Sequence, residues 1–266
     1  MNHLVSKKNR TLLRELVRTD FKLRYQGSIL GYTWSLLRPL LMFVILYIVF
    51  VKFLKIGKGV EHYPVYLLLG IVLWGFFTEM TSQSLGSIVG RGDLIRKIKI
   101  PRWIIVISSS VSALINLFLN LIIIVIFIIL NKVDLHPSAL LLPLSLIELY
   151  LFSLGVSFFL AAAYVKFRDI SYIWEVVLQA GFYATPILYP LTLVPNITFQ
   201  KILLLNPIAQ AVQGARFNVV TTQTVTSSTL SDNTVYILIP VIITLVTLLI
   251  GGLYFKKESK YFAENI

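Results

Sequence analysis

The densest cluster of ionisable side chains lies in residues 90–103, GRGDLIRKIKIPRW, where Arg91, Arg96, Lys97, Lys99 and Arg102 accompany a single acid, Asp93. The chemistry open to such a run is electrostatic. It can act as a docking element that a soluble partner grips and pushes, or it can simply hold a loop on one side of a membrane. Three carboxylates, Glu79, Glu148 and Glu175, fall inside long apolar stretches. Each is a candidate proton site and equally a hydrogen-bonded packing residue; no two are spaced for a shared site. His3, His62 and His136 are isolated, and there is no cysteine. These facts exclude thiol chemistry and leave no metal-ligating or catalytic constellation. No G-x-x-x-x-G-K-[ST] occurs, so the chain has no P-loop for ATP. A last group is aromatic. Tyr172, Trp174, Phe182 and Tyr183 share a segment with Glu175, Gln179 and Thr185. Rings beside hydrogen-bonding side chains can stack on the C–H faces of sugars, or they can be ordinary packing.

The elements that carry these residues are apolar. Of 266 residues, 57% are hydrophobic and 14% charged, against roughly 25% charged in a soluble globule. Mean hydropathy is +0.82. The chain therefore reads as an all-α integral membrane protein. Its net charge of +12 lies in short loops beside apolar runs, which points to anionic lipid headgroups and an anionic substrate end, not to nucleic acid. Residues 1–30 carry repeated charges and do not read as a cleavable signal.

Residues 8–26 predict an amphipathic helix. Arg10, Arg14, Arg18 and Lys22 recur every four residues, with Leu12, Leu13, Leu16 and Leu23 on roughly the opposite side. Such a helix lies in the membrane interface. Six transmembrane helices are expected, over roughly 33–54, 64–89, 103–130, 139–164, 171–190 and 234–255. The fifth is marginal. Between the last two lies an external stretch, 191–232, whose apolar piece at 199–213 is too short to span and is broken by Pro207; re-entrant helices are the expectation there. Domain organisation follows: 1–32 as interface helix and linker, 33–255 as the six-span unit, and 256–266 as a cytoplasmic tail. With both termini cytoplasmic, only Lys52, Lys55, Lys58, Lys132, Lys201 and Arg216 fall outside, a strong positive-inside bias. Arg38, about one turn inside the first span, either snorkels to headgroups or faces a polar cavity.

Five stretches now carry a resemblance: RYQGSILGYTWSLLRPLL (24–41), KIKIPRW in the 90–103 loop, YVKFRDI (164–170), TPILYP (185–190) and LLNPIAQAV (204–212). Their order and spacing over residues 8–258 resemble the membrane subunits of ABC-2 type exporters, most closely the polysaccharide, O-antigen and teichoic acid export branch. The F-R-D at 167–169 and the Asn-Pro at 206–207 match best. The resemblance implies that the permease pairs with a second copy of itself and that two copies of a separate P-loop ATPase bind below, holding ATP and Mg; no cofactor is expected in this chain. It implies a coupling helix in the 90–103 loop, for which Asp93, Leu94, Ile95, Arg96 and Lys97 are the candidates, with the interface helix of Arg10, Arg14, Arg18 and Lys22 also resting on the ATPase.

The implied substrate is a glycan or polyol-phosphate polymer on an undecaprenyl pyrophosphate carrier. Lys22, Arg24 and Arg38 are candidates to receive the pyrophosphate. Tyr172, Trp174, Gln179, Phe182 and Tyr183 are candidates to line the channel. The implied location is a bacterial or archaeal cytoplasmic membrane. No appended carbohydrate-binding domain is apparent, so recognition of a glycan end would fall to another polypeptide. The alternatives are an ABC-2 exporter of a drug or lipid, a proton-coupled secondary transporter using the three carboxylates, and a membrane enzyme acting on lipid-linked sugars, for which no carboxylate, His or metal constellation is present.

Overall fold

The structure, a computed structural model, describes residues 7–28, 30–57, 59–97 and 100–265, without the side chains of residues 8 and 23–25. Regular structure among them is helical throughout. In chain order the helices are α1 (Lys7–Tyr25), α2 (Thr33–Tyr47, continued as a π-turn to Phe53), α3 (Tyr63–Ser87), α4 (Gly92–Lys97), α5 (Trp103–Leu130), α6 (Leu142–Lys166), α7 (Ile170–Ala184), α8 (Ile197–Leu204), α9 (Pro207–Val219), α10 (Ser227–Leu230), α11 (Thr234–Glu258) and α12 (Phe262–Asn265).

Their starts follow local chemistry. Pro64, Pro143 and Pro207 occupy the first helical turns of α3, α6 and α9, where a missing N–H costs nothing. The side chains of Asn196, Asn206 and Asn233 accept from the backbone N–H groups of Thr198, Ile208 and Val235 and so cap α8, α9 and α11.

α3 is the axis. It is buried along most of its length and packs on α5 and α6, which is why its Glu79 side can be polar without meeting lipid. α11 lies along α6, and the two backbones touch where Gly155 and Gly251 cross: a methyl on Gly251 would strike the Gly155 carbonyl, and one on Gly155 would strike the backbone at Leu248. Gly155→Leu is therefore expected to force the pair apart, at a cost of roughly 1–3 kcal/mol or more. A lowered melting temperature of the purified protein checks it; an unchanged one contradicts the crossing.

One end of the bundle is basic. The C-terminal ends of α3, α6 and α11 meet α4 and the start of α5 there, in a single apolar cluster of Ile88, Ile95, Ile105, Val165, Phe255 and Phe262 with their neighbours. The start of α3 marks the opposite end, where the Tyr63 hydroxyl donates to the carbonyl of Leu188 at 2.5 Å. Hence α7 and the turn after it carry the chain from the basic end, at Val165, back to the opposite end, at Leu188.

Among the described residues, five helical segments are long and apolar enough to cross a membrane: Thr33–Phe53, Tyr63–Ser87, Trp103–Leu130, Pro137–Lys166 and Thr234–Asn265. The expected fifth span at 171–190 is not among them. Thr185 turns extended, with Pro186 behind it, so α7 stops at 15 residues, or about 22 Å against the ~30 Å of a hydrocarbon core. The stretch 199–213 divides at Asn206-Pro207 as its sequence predicts, into α8 and α9, and α9 is buried against α3 and α6.

Candidate functional site

α4 is amphipathic over a turn and a half. Gly92 and Ile95 are buried, Leu94 is half-buried, and Asp93, Arg96 and Lys97 are exposed. The buried side enters the apolar cluster at the basic end; the exposed side presents one acid and two bases. Lys99 lies outside the described residues. Arg102 donates to the carbonyl of Ser259, beyond the end of α11.

α1 lies against α5. Arg10, Arg14, Arg18 and Lys22 are exposed, while Leu12, Leu13 and Leu16 are half-buried on the side that packs, the division expected from 100° per residue. Sequence reasoning missed Asp20. It sits on the packing side and pairs with Arg91, ahead of α4, each about four-fifths buried. Arg91 also reaches Ser108 of α5 at 3.4 Å, and the Ser108 hydroxyl reaches Asp20 at 3.5 Å. The available signal was an acid on the apolar side of a helix dominated by bases, whose other acid, Glu15, is exposed. This triad fastens α1 and the 90–103 segment to α5. Asp20→Arg and Arg91→Asp are each expected to loosen α1, and the double exchange to restore it, with a coupling of about 1–3 kcal/mol in a double-mutant cycle. Protease cleavage within α1 reads the effect; no rescue by the exchange contradicts the triad.

The polar line continues up α5. Asn116 donates to Glu79 Oε1, which also accepts from Gln83 at 2.8 Å; Asn120 donates to the carbonyl of Ser35 in α2 at 3.3 Å. Glu79 thus acts as a packing acceptor between α3 and α5. Glu148 Oε1 in α6 has no hydrogen-bond partner among the described residues, and Glu175 is exposed on α7. The three carboxylates stand on three different helices.

α7 has no buried residue. Its candidates fall on two sides. Trp174 Nε1 donates to Thr81 of α3 at 3.2 Å, and Phe182 meets the ring of Trp74, so these two turn toward the bundle. Trp174 also lines a cavity of 610 Å³ between α7 and α3, α6 and α11, whose walls are nearly all apolar. Tyr172, Glu175, Gln179 and Tyr183 are all exposed, at helical spacings that make one stripe on the side away from the bundle.

Lys22 and Arg38 are exposed, and the side chain of Arg24 lies outside the described residues. Lys22 and Arg38 belong to different levels. Near Lys22, Asp20 contacts Ser108, and one turn before Arg38, Ser35 contacts Asn120, anchor points about 18 Å apart along α5. α2 buries only Phe43, so Arg38 stands on a largely uncovered helix.

At the opposite end Arg216, counted from sequence as an external loop cation, is wholly buried in α9. Its guanidinium lies 3.6 Å from the Tyr66 ring centroid. It donates to the carbonyls of Tyr66, Pro186 and Ile187 at 3.0, 2.5 and 2.7 Å and to Gln213 Oε1 at 2.9 Å. A methyl on Gly70 would overlap it. Burial pushes its pKa down, opposed by Tyr66 and Tyr63, and the set of acceptors keeps the cation in place. The sequence signal was faint: α9 is apolar around Arg216, and Gly70 leaves a gap in a run of large residues.

Apolar helices around a buried axis, with a basic face at one end, define a membrane protein. The chain matches the ABC-2 type transporter family over residues 11–220, and it belongs to that family: it is a membrane permease of the ABC-2 type. It is 29% identical over 199 residues to the O-antigen export system permease protein RfbA of Myxococcus xanthus, covering 74% of this chain and 76% of that one. It is 30% identical over 202 residues to an O-antigen export system permease protein RfbA of Klebsiella pneumoniae, covering 76% and 77%.

Proposed function

We propose that the chain is the channel-forming subunit of an ATP-driven exporter that moves a lipid-linked polysaccharide, or a related polyol-phosphate polymer, out across the cytoplasmic membrane. Similarity to O-antigen export permeases over three quarters of the chain is the observation that carries this reading. The energy comes from a separate P-loop ATPase, two copies per assembly, with ATP and Mg bound there. Asp93, Arg96 and Lys97 of α4 dock on it, seated by Leu94 and Ile95, and the exposed face of α1 with Arg10, Arg14, Arg18 and Lys22 rests beside them.

Two copies of the permease pair through the faces left open on α2 and α7. The stripe of Tyr172, Gln179 and Tyr183 faces the resulting channel, where rings and amides suit sugar surfaces; Trp174 and Phe182 brace that wall against α3. α7 with residues 185–188 is the sixth crossing, short in helix and completed by a non-helical turn, which protein must cover. α8 and α9 narrow the outer mouth as re-entrant helices. Both termini are cytoplasmic, on the basic side, where anionic lipids gather. Lys22 and Arg24 meet the pyrophosphate at the membrane surface in this reading, and Arg38 meets it deeper, where a cation on a lipid-level helix needs an anion or channel water.

The test is purification of the tagged permease in mild detergent from its native cell. A P-loop ATPase is expected in equal amount, and depletion of the permease is expected to leave lipid-linked glycan inside the cell. Absence of any ATPase across several detergents would sink the reading and favour the proton-coupled carrier. That rival predicts a loss of transport on changing Glu79, Glu148 or Glu175 singly to Gln; the exporter reading expects each to keep transport within about threefold, because at Glu79 Gln preserves the packing acceptor and removes only about 1 kcal/mol of hydrogen bonding, while Glu148 Oε1 accepts no hydrogen bond among the described residues and Glu175 is exposed.

A further inference from the structure

α4 has six residues, too few to hold itself as a helix in water. Something must seat it before a push on its exposed face can move anything. The seat comes in large part from the segment after α11. The chain turns back through Ser259–Tyr261 into α12, which contacts both α4 and α6. Within a short segment whose other described residues are exposed or half-exposed, Phe262 is 1% exposed. Its ring meets Phe255 of α11 edge-on at 5.4 Å, and it shares one apolar cluster with Ile95 of α4, Ile105 of α5 and Val165 of α6. A second tie holds the same turn from the other side, where Arg102 donates to the carbonyl of Ser259.

We propose that Phe262 is a positioning residue for energy coupling: it wedges α4 against the ends of α5, α6 and α11, so that force applied to Asp93, Arg96 and Lys97 reaches three bundle helices together. This rests on the exporter reading of α4. The physical reason is packing. A close-packed apolar contact transmits displacement because it has little free volume to absorb it, whereas a cavity under α4 would let the helix sink without moving its neighbours. The lysines flanking the wedge, Lys256, Lys257 and Lys260, are exposed and keep the turn at the polar surface while the ring points inward.

The test compares wild type with Phe262→Ala and Phe262→Leu in inverted membrane vesicles of the native cell, its own lipid-linked polymer labelled with radioactive sugar. Two quantities are read: polymer entering the lumen, and ATP hydrolysed by the complex. Their quotient is the informative number, since a permease that merely folds less well lowers both alike. Phe262→Ala is expected to retain the ATPase in the complex and to lower polymer moved per ATP by about tenfold, with Phe262→Leu falling between. Where Phe262→Ala yields no folded permease, the smaller cavity of Phe262→Leu carries the test. An unchanged quotient in the folded variants overturns the wedge. Wild-type vesicles that move no polymer on addition of ATP overturn the exporter reading instead, so the two failures are told apart.

Discussion

Changing Arg96 and Lys97 together to Glu is expected to strip the ATPase from the permease. Both side chains are on the exposed side of α4, and Ile95, between the turns, holds that side outward. A cleft that accepts a basic helix end is complementary in charge. Each reversal then places like charges together at a cost of several kcal/mol, and affinity is expected to fall by more than about a hundredfold. Both replaced residues are exposed, so the permease itself is expected to remain folded, as its yield and melting temperature will report. The measurement is the ratio of ATPase to permease after purification at low and moderate salt. Screening shortens the reach of these charges to about 10 Å at 0.1 M, so in wild type the ratio is expected to drop as salt rises, while the variant starts low. Full retention of the ATPase by the variant would move the docking surface away from α4.

The second large effect concerns the opposite end. Arg216→Met is expected to leave the carbonyls of Pro186 and Ile187 without a donor in a buried site, and to remove the second donor from the Tyr66 carbonyl, which keeps its bond within α3. Each unsatisfied acceptor costs about 1–3 kcal/mol. Summed over these two, with the lost stacking on Tyr66, the loss is large for a single substitution. The three carbonyls belong to two separate parts of the chain, the first turn of α3 and the turn after α7, so the arginine ties α9 to both. Lysine cannot replace it: a compact ammonium reproduces neither the fork nor the stacking on Tyr66. Gly70→Ala should act in the same direction by pushing the guanidinium off its acceptors. The measurement is the melting temperature of purified protein, with exposed Lys257 changed to Ala as a control expected to stay within about 0.5 kcal/mol. A folded Arg216→Met protein with the wild-type melting temperature would contradict the assignment of this cluster.

The helices were legible wherever hydrophobicity has no interruption. α5 occupies residues 103–130 as its sequence predicts, because a largely apolar run between two basic or turn-forming segments, its serines and asparagines turned inward, has one low-energy solution in lipid. α1 was legible from its four-residue cationic repeat. α7 was read too long, since composition alone does not reveal that Thr185 and Pro186 leave the helix while the chain continues to the far end. What sequence hid were pairings between distant segments. Asp20 with Arg91, Arg216 with the carbonyls near 186, and Phe262 beneath Ile95 each join residues far apart in the chain. Periodicity carries no signal for such contacts, because each depends on which helices become neighbours. Arg216 is the sharpest case. A charge between apolar residues reads as a loop, and only the tertiary arrangement supplies the acceptors that make its burial stable.

The central claim is that this permease moves a lipid-linked polymer under the drive of a separate ATPase. The most direct measurement is in inverted vesicles from the native cell: entry of labelled polymer into the lumen, with ATP and without it, and with the proton gradient collapsed. The account predicts entry that requires hydrolysable ATP, survives loss of the gradient and disappears in the Arg96→Glu, Lys97→Glu variant. Entry that proceeds without ATP and stops when the gradient is collapsed would contradict it.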